Sequence, residues 1–204
     1  MIGIVDYGLG NVRAIANIYE SLKVAHCLAS TPDAIMAADR LILPGVGAFD
    51  GAMDSLSSSG LLDALNVKVR DAGCPVLGIC VGMQMMARRS DEGQREGLGW
   101  VNGEVVHLAS TQRSNAKIAL PHMGWNDVQP KAGHRLFAGL DDARFYFLHT
   151  YCFRPLQDGL VIGETAYHGT FASAFSRGNV YGVQFHPEKS HHWGVRLLAN
   201  FAGI

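Results

Sequence analysis

Cys80 lies in a segment whose residue types and spacing could support a thiol nucleophile. An apolar run ends in Gly78-Ile79-Cys80-Val81-Gly82, and a helix-compatible stretch follows. A nucleophile on a strand-to-helix turn needs small neighbours, because the turn is tight and its backbone approaches the sheet and the substrate closely. The N-terminus of the following helix favours the thiolate, the form that attacks a carbonyl carbon. A buried structural cysteine explains this segment equally well.

His186 and Glu188, on either side of Pro187, supply the groups that such a thiol would need. An imidazole activates the thiol at neutral pH, and a carboxylate holds the imidazole in its working tautomer. Alternate residues of an extended segment point the same way, so we expect the two side chains on one side of a strand end. A solvated turn is the alternative for this segment alone. Combined with Cys80, the pair favours a catalytic triad.

A glycine-rich turn, Pro44-Gly45-Val46-Gly47, follows another apolar run. Attack on an amide carbonyl builds negative charge on its oxygen, which backbone N–H groups can stabilise. We therefore predict oxyanion donors at Gly45, Val46 and Gly47, and at Val81, the residue after the nucleophile. A turn of this composition is by itself usually only a turn, so this prediction depends on the other two segments.

The composition excludes several classes of function. The 204 residues carry a formal net charge of -1, without the basic footprint of a nucleic-acid binder. No run approaches the roughly 18 apolar residues that span a membrane, and the N-terminus resembles a strand more than a signal sequence. The four cysteines and nine histidines show neither disulfide nor metal-ligand spacing. We therefore expect one domain over residues 1–204, a cytoplasmic location, and no metal, nucleic acid or membrane partner.

The order of apolar runs and turns predicts an α/β fold. Runs at 2–5, 41–43 and 76–79 each precede a turn and a helix-compatible stretch, the pattern of βα units in a parallel sheet. Helices are expected over 11–22, 49–70 with a break at 57–60, 81–88 and 192–201. Hairpin-connected strands are expected over 103–108, 145–153, 160–166, 171–175 and 180–185. The predicted architecture is a mixed, largely parallel central sheet flanked by helices, with antiparallel additions in the second half.

Tyr7-Gly8-Leu9-Gly10-Asn11 is similar to a dinucleotide-binding turn after a first strand. Arg13 occupies the position of the third glycine, and no acidic residue closes a second strand at the usual distance. The sequence therefore argues against a nucleotide cofactor site.

Taken together, GICVGMQ, PGVGAF and FHPEKS resemble the class I (triad) glutamine amidotransferases. Within that class, PHMGWN at 121–126, FYFLHTY at 145–151 and HPEKS at 186–190 resemble the glutaminase subunit of imidazole glycerol phosphate synthase. The resemblance covers essentially the whole chain. It implies that glutamine is hydrolysed to glutamate and ammonia without a cofactor. It also implies a heterodimer with a βα-barrel synthase (cyclase) that uses the ammonia to make imidazole glycerol phosphate in histidine biosynthesis.

The resemblance also implies roles for individual residues. Cys80 matches the nucleophile, His186 the base and Glu188 its orienting partner. The positions that hold or surround glutamine are matched by Gly47, Gln84, Glu92, Thr150 and Tyr151. The positions near the face that docks on the synthase are matched by Trp125, Tyr146 and Lys189. Trp125 and Tyr146 could equally be core aromatics, and Lys189 a solvated charge.

Three alternatives remain open from the sequence. A paralogous subunit could supply ammonia for acetamidino-sugar formation in surface polysaccharide synthesis. A non-catalytic binding module on the same fold would not need the triad. A thiol protease or other cysteine hydrolase would not need the features at 121–126 and 145–151, and turnover of glutamine against turnover of peptide would separate it.

Overall fold

A ten-stranded mixed sheet forms the centre of the computed structural model, which describes residues 1–111 and 118–204. The first half of the chain alternates strands and helices: β1 Ile2–Val5, α1 Val12–Ser21, β2 His26–Ala29, α2 Pro32–Ala37, β3 Arg40–Gly45, α3 Phe49–Ser58, α4 Leu62–Asn66, β4 Val76–Cys80 and α5 Val81–Met85. The second half is mostly β: β5 Gly103–His107, β6 His122–Asp127, β7 Gln129–Pro130, β8 Arg144–His149, β9 Tyr151–Pro155, β10 Val161–Ala166, β11 Thr170–Arg177 and β12 Val180–Val183, followed by α6 His191–Ala202.

The strand order in the main sheet is β2-β1-β3-β4-β12-β11-β10-β7, and β9, joined to β5, pairs with β11. Strands β2, β1, β3, β4 and β12 pair in parallel. Every residue of β1 and β4 is buried, as in a parallel sheet covered on both faces. The predicted mixed, largely parallel α/β fold is confirmed.

The pairing of β12 with β4 determines where the site forms. The sequence predicts antiparallel additions in the second half, but β12 runs parallel to β4, with Val183 opposite Ile79. On the other side of β4, Gly45 at the end of β3 lies opposite Cys80. Carboxyl ends of neighbouring parallel strands meet at one edge of a sheet. The segments that follow β3, β4 and β12 therefore converge there.

The predicted strand over 145–153 is wrong as a single element. It divides at Thr150 into β8, which pairs with β6 in a separate two-stranded sheet, and β9, which pairs with β5 and β11. Burial alternates along β8, but Cys152 and Phe153 of β9 are both buried. The lost alternation marks a chain that leaves one sheet and enters the core of another.

The predicted helix over 81–88 is too long, because α5 ends at Met85. The backbone groups of Met85, Met86 and Ala87 bond instead to the segment 98–101. The sequence also did not predict β2, α2, β6 or β7. The other expected elements agree with the structure within one to three residues at most ends. Among the described residues, no helix is long and apolar enough to cross a membrane.

Candidate active site

Cys80 occupies a strained strand-to-helix turn between β4 and α5. Its φ and ψ angles are 54° and -113°, a backbone conformation that residues with a Cβ rarely adopt. A Cβ at Gly82 would overlap the carbonyl oxygen of Leu43, and one at Gly78 would lie 2.7 Å from the backbone of Met83. The two glycines are thus needed for close approach, as the sequence predicts.

The side chains of His186 and Glu188 are in contact, and His186 lines the same cavity as Cys80. Nδ1 of His186 lies 2.9 Å from Oε1 of Glu188, and the two side chains are 4% and 2% exposed. The extended geometry expected here is wrong, because Pro187–Lys189 form a 3-10 turn. The turn keeps the carboxylate beside the ring. Asn11, which the sequence did not indicate, donates from Nδ2 to the same Oε1 at 2.8 Å.

Neighbouring groups stabilise the charged forms of His186 and Glu188. Burial alone would lower the pKa of His186, but the neighbouring Cys80 and Glu188 outweigh it and raise that pKa to about 10. Burial would likewise raise the pKa of Glu188, but the bonds from His186 and Asn11 hold it below its ordinary value. His186 is therefore protonated at neutral pH when its neighbours are anionic, the state that can deliver a proton to a leaving group.

A cavity of about 360 Å³ opens in front of Cys80, within the size range of small-molecule sites. Most of the predicted site residues line it: Val46, Gly47, Cys80, Val81, Gln84, Glu92, Thr150, Tyr151, His186 and Lys189. Glu188 is not among the lining residues; its buried carboxylate contacts Nδ1 of His186. Gly45 is not in the wall, because it is buried in β3 and packs against the backbone of Val81 and Gly82.

The cavity wall has donors and acceptors of fixed position. α5 begins at Val81, and the first N–H groups of a helix have no partner within it. Glu92 accepts the backbone N–H of Phe49 at 2.9 Å and so fixes the chain that leaves the Val46 and Gly47 turn. Gln84 donates from Nε2 to the carbonyl oxygen of Tyr151 at 2.9 Å. Within the residues that the structure describes, no group of three acidic, histidine or cysteine side chains could hold a metal ion.

Trp125 and Tyr146 lie outside the cavity, on the outward face of the β6–β8 sheet, where they are directly opposite each other. Trp125 is 39% exposed, and its ring stacks on that of His191 with 5.1 Å between ring centroids. Nζ of Lys189 lies 5.7 Å from the centroid of Tyr146. The same face exposes Met123 and Leu148. We call these six residues the outer aromatic face.

Comparison with known proteins assigns the chain to a family. The family model "Glutamine amidotransferase class-I" matches residues 4–203. The chain belongs to the class I glutamine amidotransferases. Relatives named imidazole glycerol phosphate synthase subunit HisH occur in Bdellovibrio bacteriovorus, with 51% identity, and in Leptospira interrogans, with 45%. Each alignment covers 100% of both chains.

Solved structures of glutamine amidotransferases share the fold. One of them aligns with a TM-score of 0.76 at 18% identity, over 100% of this chain and 99% of its own. A chain of PurLQS from Thermotoga maritima aligns with a TM-score of 0.69 at 16% identity, over 99% and 97%. The predicted family and amidotransferase activity are confirmed by the family match and its relatives. The roles of individual residues stay predictions.

Proposed function

We propose that residues 1–204 form a single-domain glutaminase subunit that hydrolyses glutamine and delivers ammonia to a βα-barrel synthase making imidazole glycerol phosphate. One observation carries the proposal. Cys80, on the strained turn, lines the same cavity as His186, and Glu188 holds the ring of His186. The full-length relatives bearing the synthase-subunit name favour this branch over polysaccharide amidination. A cytoplasmic location remains a prediction.

The first half of the reaction releases ammonia. The Cys80 thiolate attacks the carbon of the glutamine side-chain amide and forms a carbon–sulfur bond, moving negative charge onto the oxygen. The N–H of Val81 and those of the Val46 and Gly47 turn stabilise this oxygen. Protonated His186 then gives its proton to the nitrogen, the carbon–nitrogen bond breaks, and ammonia leaves a thioester on Cys80.

The second half regenerates the enzyme. Neutral His186 takes a proton from water as the water oxygen attacks the thioester. The carbon–sulfur bond breaks, glutamate leaves, and the thiolate and protonated imidazole are restored. Glu188 keeps Nδ1 of the ring occupied throughout, so that the other ring nitrogen serves the reacting atoms.

The outer aromatic face suits docking on the synthase. It places apolar side chains on a rim next to the cavity, and Leu148 and Lys189 belong to both. Ammonia is small and readily lost to water, so its transfer needs an interface closed by large side chains. Aromatic rings bury much area and Lys189 can pair with an acidic group of the partner.

The test measures glutamate release in the presence of the synthase for Cys80→Ala and for a matched control, Cys74→Ala. Cys74 is also buried, but it bonds to the backbone at Asp39 and Pro75, away from the cavity. We expect Cys80→Ala to lose at least roughly 10³-fold in turnover and Cys74→Ala to keep most of it. Turnover of Cys80→Ala above about a tenth of wild type would refute the assignment.

The synthase partner identifies the pathway. We expect a cyclase to co-purify with the chain, and the pair to make imidazole glycerol phosphate from glutamine. Ammonia supplied directly should support the cyclase even with Cys80→Ala, because that reaction takes place on the other protein. Formation of an acetamidino sugar instead would show that the ammonia is used in polysaccharide synthesis.

A further inference from the structure

Gln84 and Gln184 form a buried pair of amides beside the nucleophile. Gln84 is 3% exposed and Gln184 is completely buried. The orientation of the first amide follows from its surroundings. A backbone carbonyl can only accept a hydrogen bond, so the Gln84 atom 2.9 Å from the oxygen of Tyr151 is its nitrogen.

The second amide is oriented by the first. The same nitrogen of Gln84 lies 3.0 Å from Gln184, so that the facing atom of Gln184 is its oxygen. The other end of the Gln184 amide, the Nε2 group, is therefore directed at the sulfur of Cys80, 3.8 Å away. Its N–H donates toward the reacting atom.

Two neutral histidines fix the carbonyl oxygen of Tyr151, the acceptor that orients the Gln84 and Gln184 amides. Nδ1 of His149 lies 2.9 Å from the Tyr151 oxygen, and its Nε2 lies 2.9 Å from Nδ1 of His122. Burial lowers the pKa of His149 to about 3 and that of His122 to about 4. Since both rings are uncharged at neutral pH, His149 donates to the carbonyl and accepts from His122. The Tyr151 oxygen thus receives two donors and stays in place.

We infer that Gln184 is a positioning residue that holds the Cys80 thiolate through its Nε2 group. The inference rests on the proposed function, in which that thiolate is the nucleophile. A hydrogen bond to an anion is stronger than one to a neutral group, so this N–H favours the thiolate over the thiol. Two other groups face the sulfur: protonated His186, which also favours the thiolate, and the Leu148 carbonyl at 3.9 Å, which accepts a hydrogen bond from the thiol and favours that form. Gln184 opposes that preference.

The experiment measures alkylation of Cys80 by iodoacetamide against pH, followed by peptide mass spectrometry that separates Cys80 from the other cysteines. Gln184→Glu keeps the shape but brings an anion to the sulfur, and Gln184→Met removes the donor at similar length. We expect the pH of half-maximal alkylation to rise by about one unit in both, with kcat for glutamine lower by roughly tenfold and KM nearly unchanged.

Ser173→Ala is the structural control. Its backbone oxygen accepts the N–H of Gln184, and its buried hydroxyl bonds to Thr165 rather than to the nucleophile. We expect this variant to lower the thermal midpoint and leave the alkylation profile unchanged. Wild-type profiles in both Gln184 variants, or an equal shift in Ser173→Ala, would overturn the inference. Alkylation needs no glutamine turnover, so a failure of the proposed function would appear separately, as a Cys80→Ala variant that still releases glutamate.

Discussion

The two sides of the cavity differ in how completely they are formed. On the nucleophile side, Cys80, Gln84, Gln184 and His186 are at most 4% exposed, and internal hydrogen bonds fix the two amides and the imidazole. On the rim side, Gly47 is exposed with a φ of 88°, and the outer aromatic face, which shares Leu148 and Lys189 with the cavity wall, presents apolar side chains to solvent. The first side needs nothing further to be organised. The second leaves groups exposed that the proposed docking on a synthase would bury.

The largest expected effect is the change in the rate of glutamine hydrolysis when the synthase docks. If the oxyanion turn at Val46 and Gly47 is completed only by docking, the isolated chain should hydrolyse glutamine a few hundredfold more slowly than the complex with a substrate analogue. Stabilising one loop conformation by about 3 to 4 kcal/mol suffices for this ratio. Steady-state glutamate release is measured for the chain alone, with synthase, and with synthase plus analogue. Equal rates in all three would show that both sides are formed from the start.

A variant of Asn11 tests whether the nucleophile side depends on a single hydrogen bond. Asn11 is only partly buried and contributes one bond to Glu188. Asn11→Ala removes the donor that helps to hold the carboxylate, and we expect kcat to fall roughly tenfold with a small change in KM. Asn11→Asp should be worse, because it adds like charge beside Glu188.

Asn200→Ala is the matched control for this prediction. The Asn200 amide likewise donates hydrogen bonds, in its case two, to the backbone of Leu136 and Ala138, away from the cavity. An unchanged kcat in Asn11→Ala, or an equal fall in kcat in both alanine variants, would show that Asn11 does not act by positioning Glu188.

The smallest expected effect lies on the outer aromatic face. Trp125→Ala or Lys189→Ala should lower the ratio of synthase product to glutamate by a few-fold, because ammonia escapes through an imperfect rim, with little change in thermal midpoint. Trp100→Ala is the contrasting variant, since that ring is 4% exposed and bonds to Asn66 in the core. It should cost roughly 3 to 5 kcal/mol of stability and leave the ratio unchanged. An unaltered ratio in both face variants would mean that the rim does not retain ammonia.

Contacts in the site could be predicted from the sequence when the two residues lie close together along the chain. The turn at Cys80 could be predicted because both glycines that it needs are within two positions of it. The pairing of His186 with Glu188 could also be predicted, although through a 3-10 turn instead of an extended strand. Gln184 lies two positions before His186 in a strand-like run, so alternation along that run was an available signal.

Asn11 and His149 had no such signal. Asn11 is 177 positions from Glu188 along the chain, and no local pattern encodes that contact. His149 acts through the carbonyl of Tyr151, and a backbone acceptor leaves no trace in residue types. The fold shows the same limit. The buried runs at β1, β3 and β4 were evident, whereas the division at Thr150 depends on which sheet each half enters.

The parallel pairing of β12 with β4 has a consequence for how the protein acquires activity during folding. Cys80 and Gln184 are 104 positions apart, so β4 is synthesised long before the strand that completes its neighbourhood. Until then one edge of β4 exposes unpaired backbone groups, and closing so long a loop is slow. We therefore expect the nucleophile and its base to come together late in folding. Glutaminase activity in a refolding experiment would report the completed sheet, after most of the secondary structure has formed.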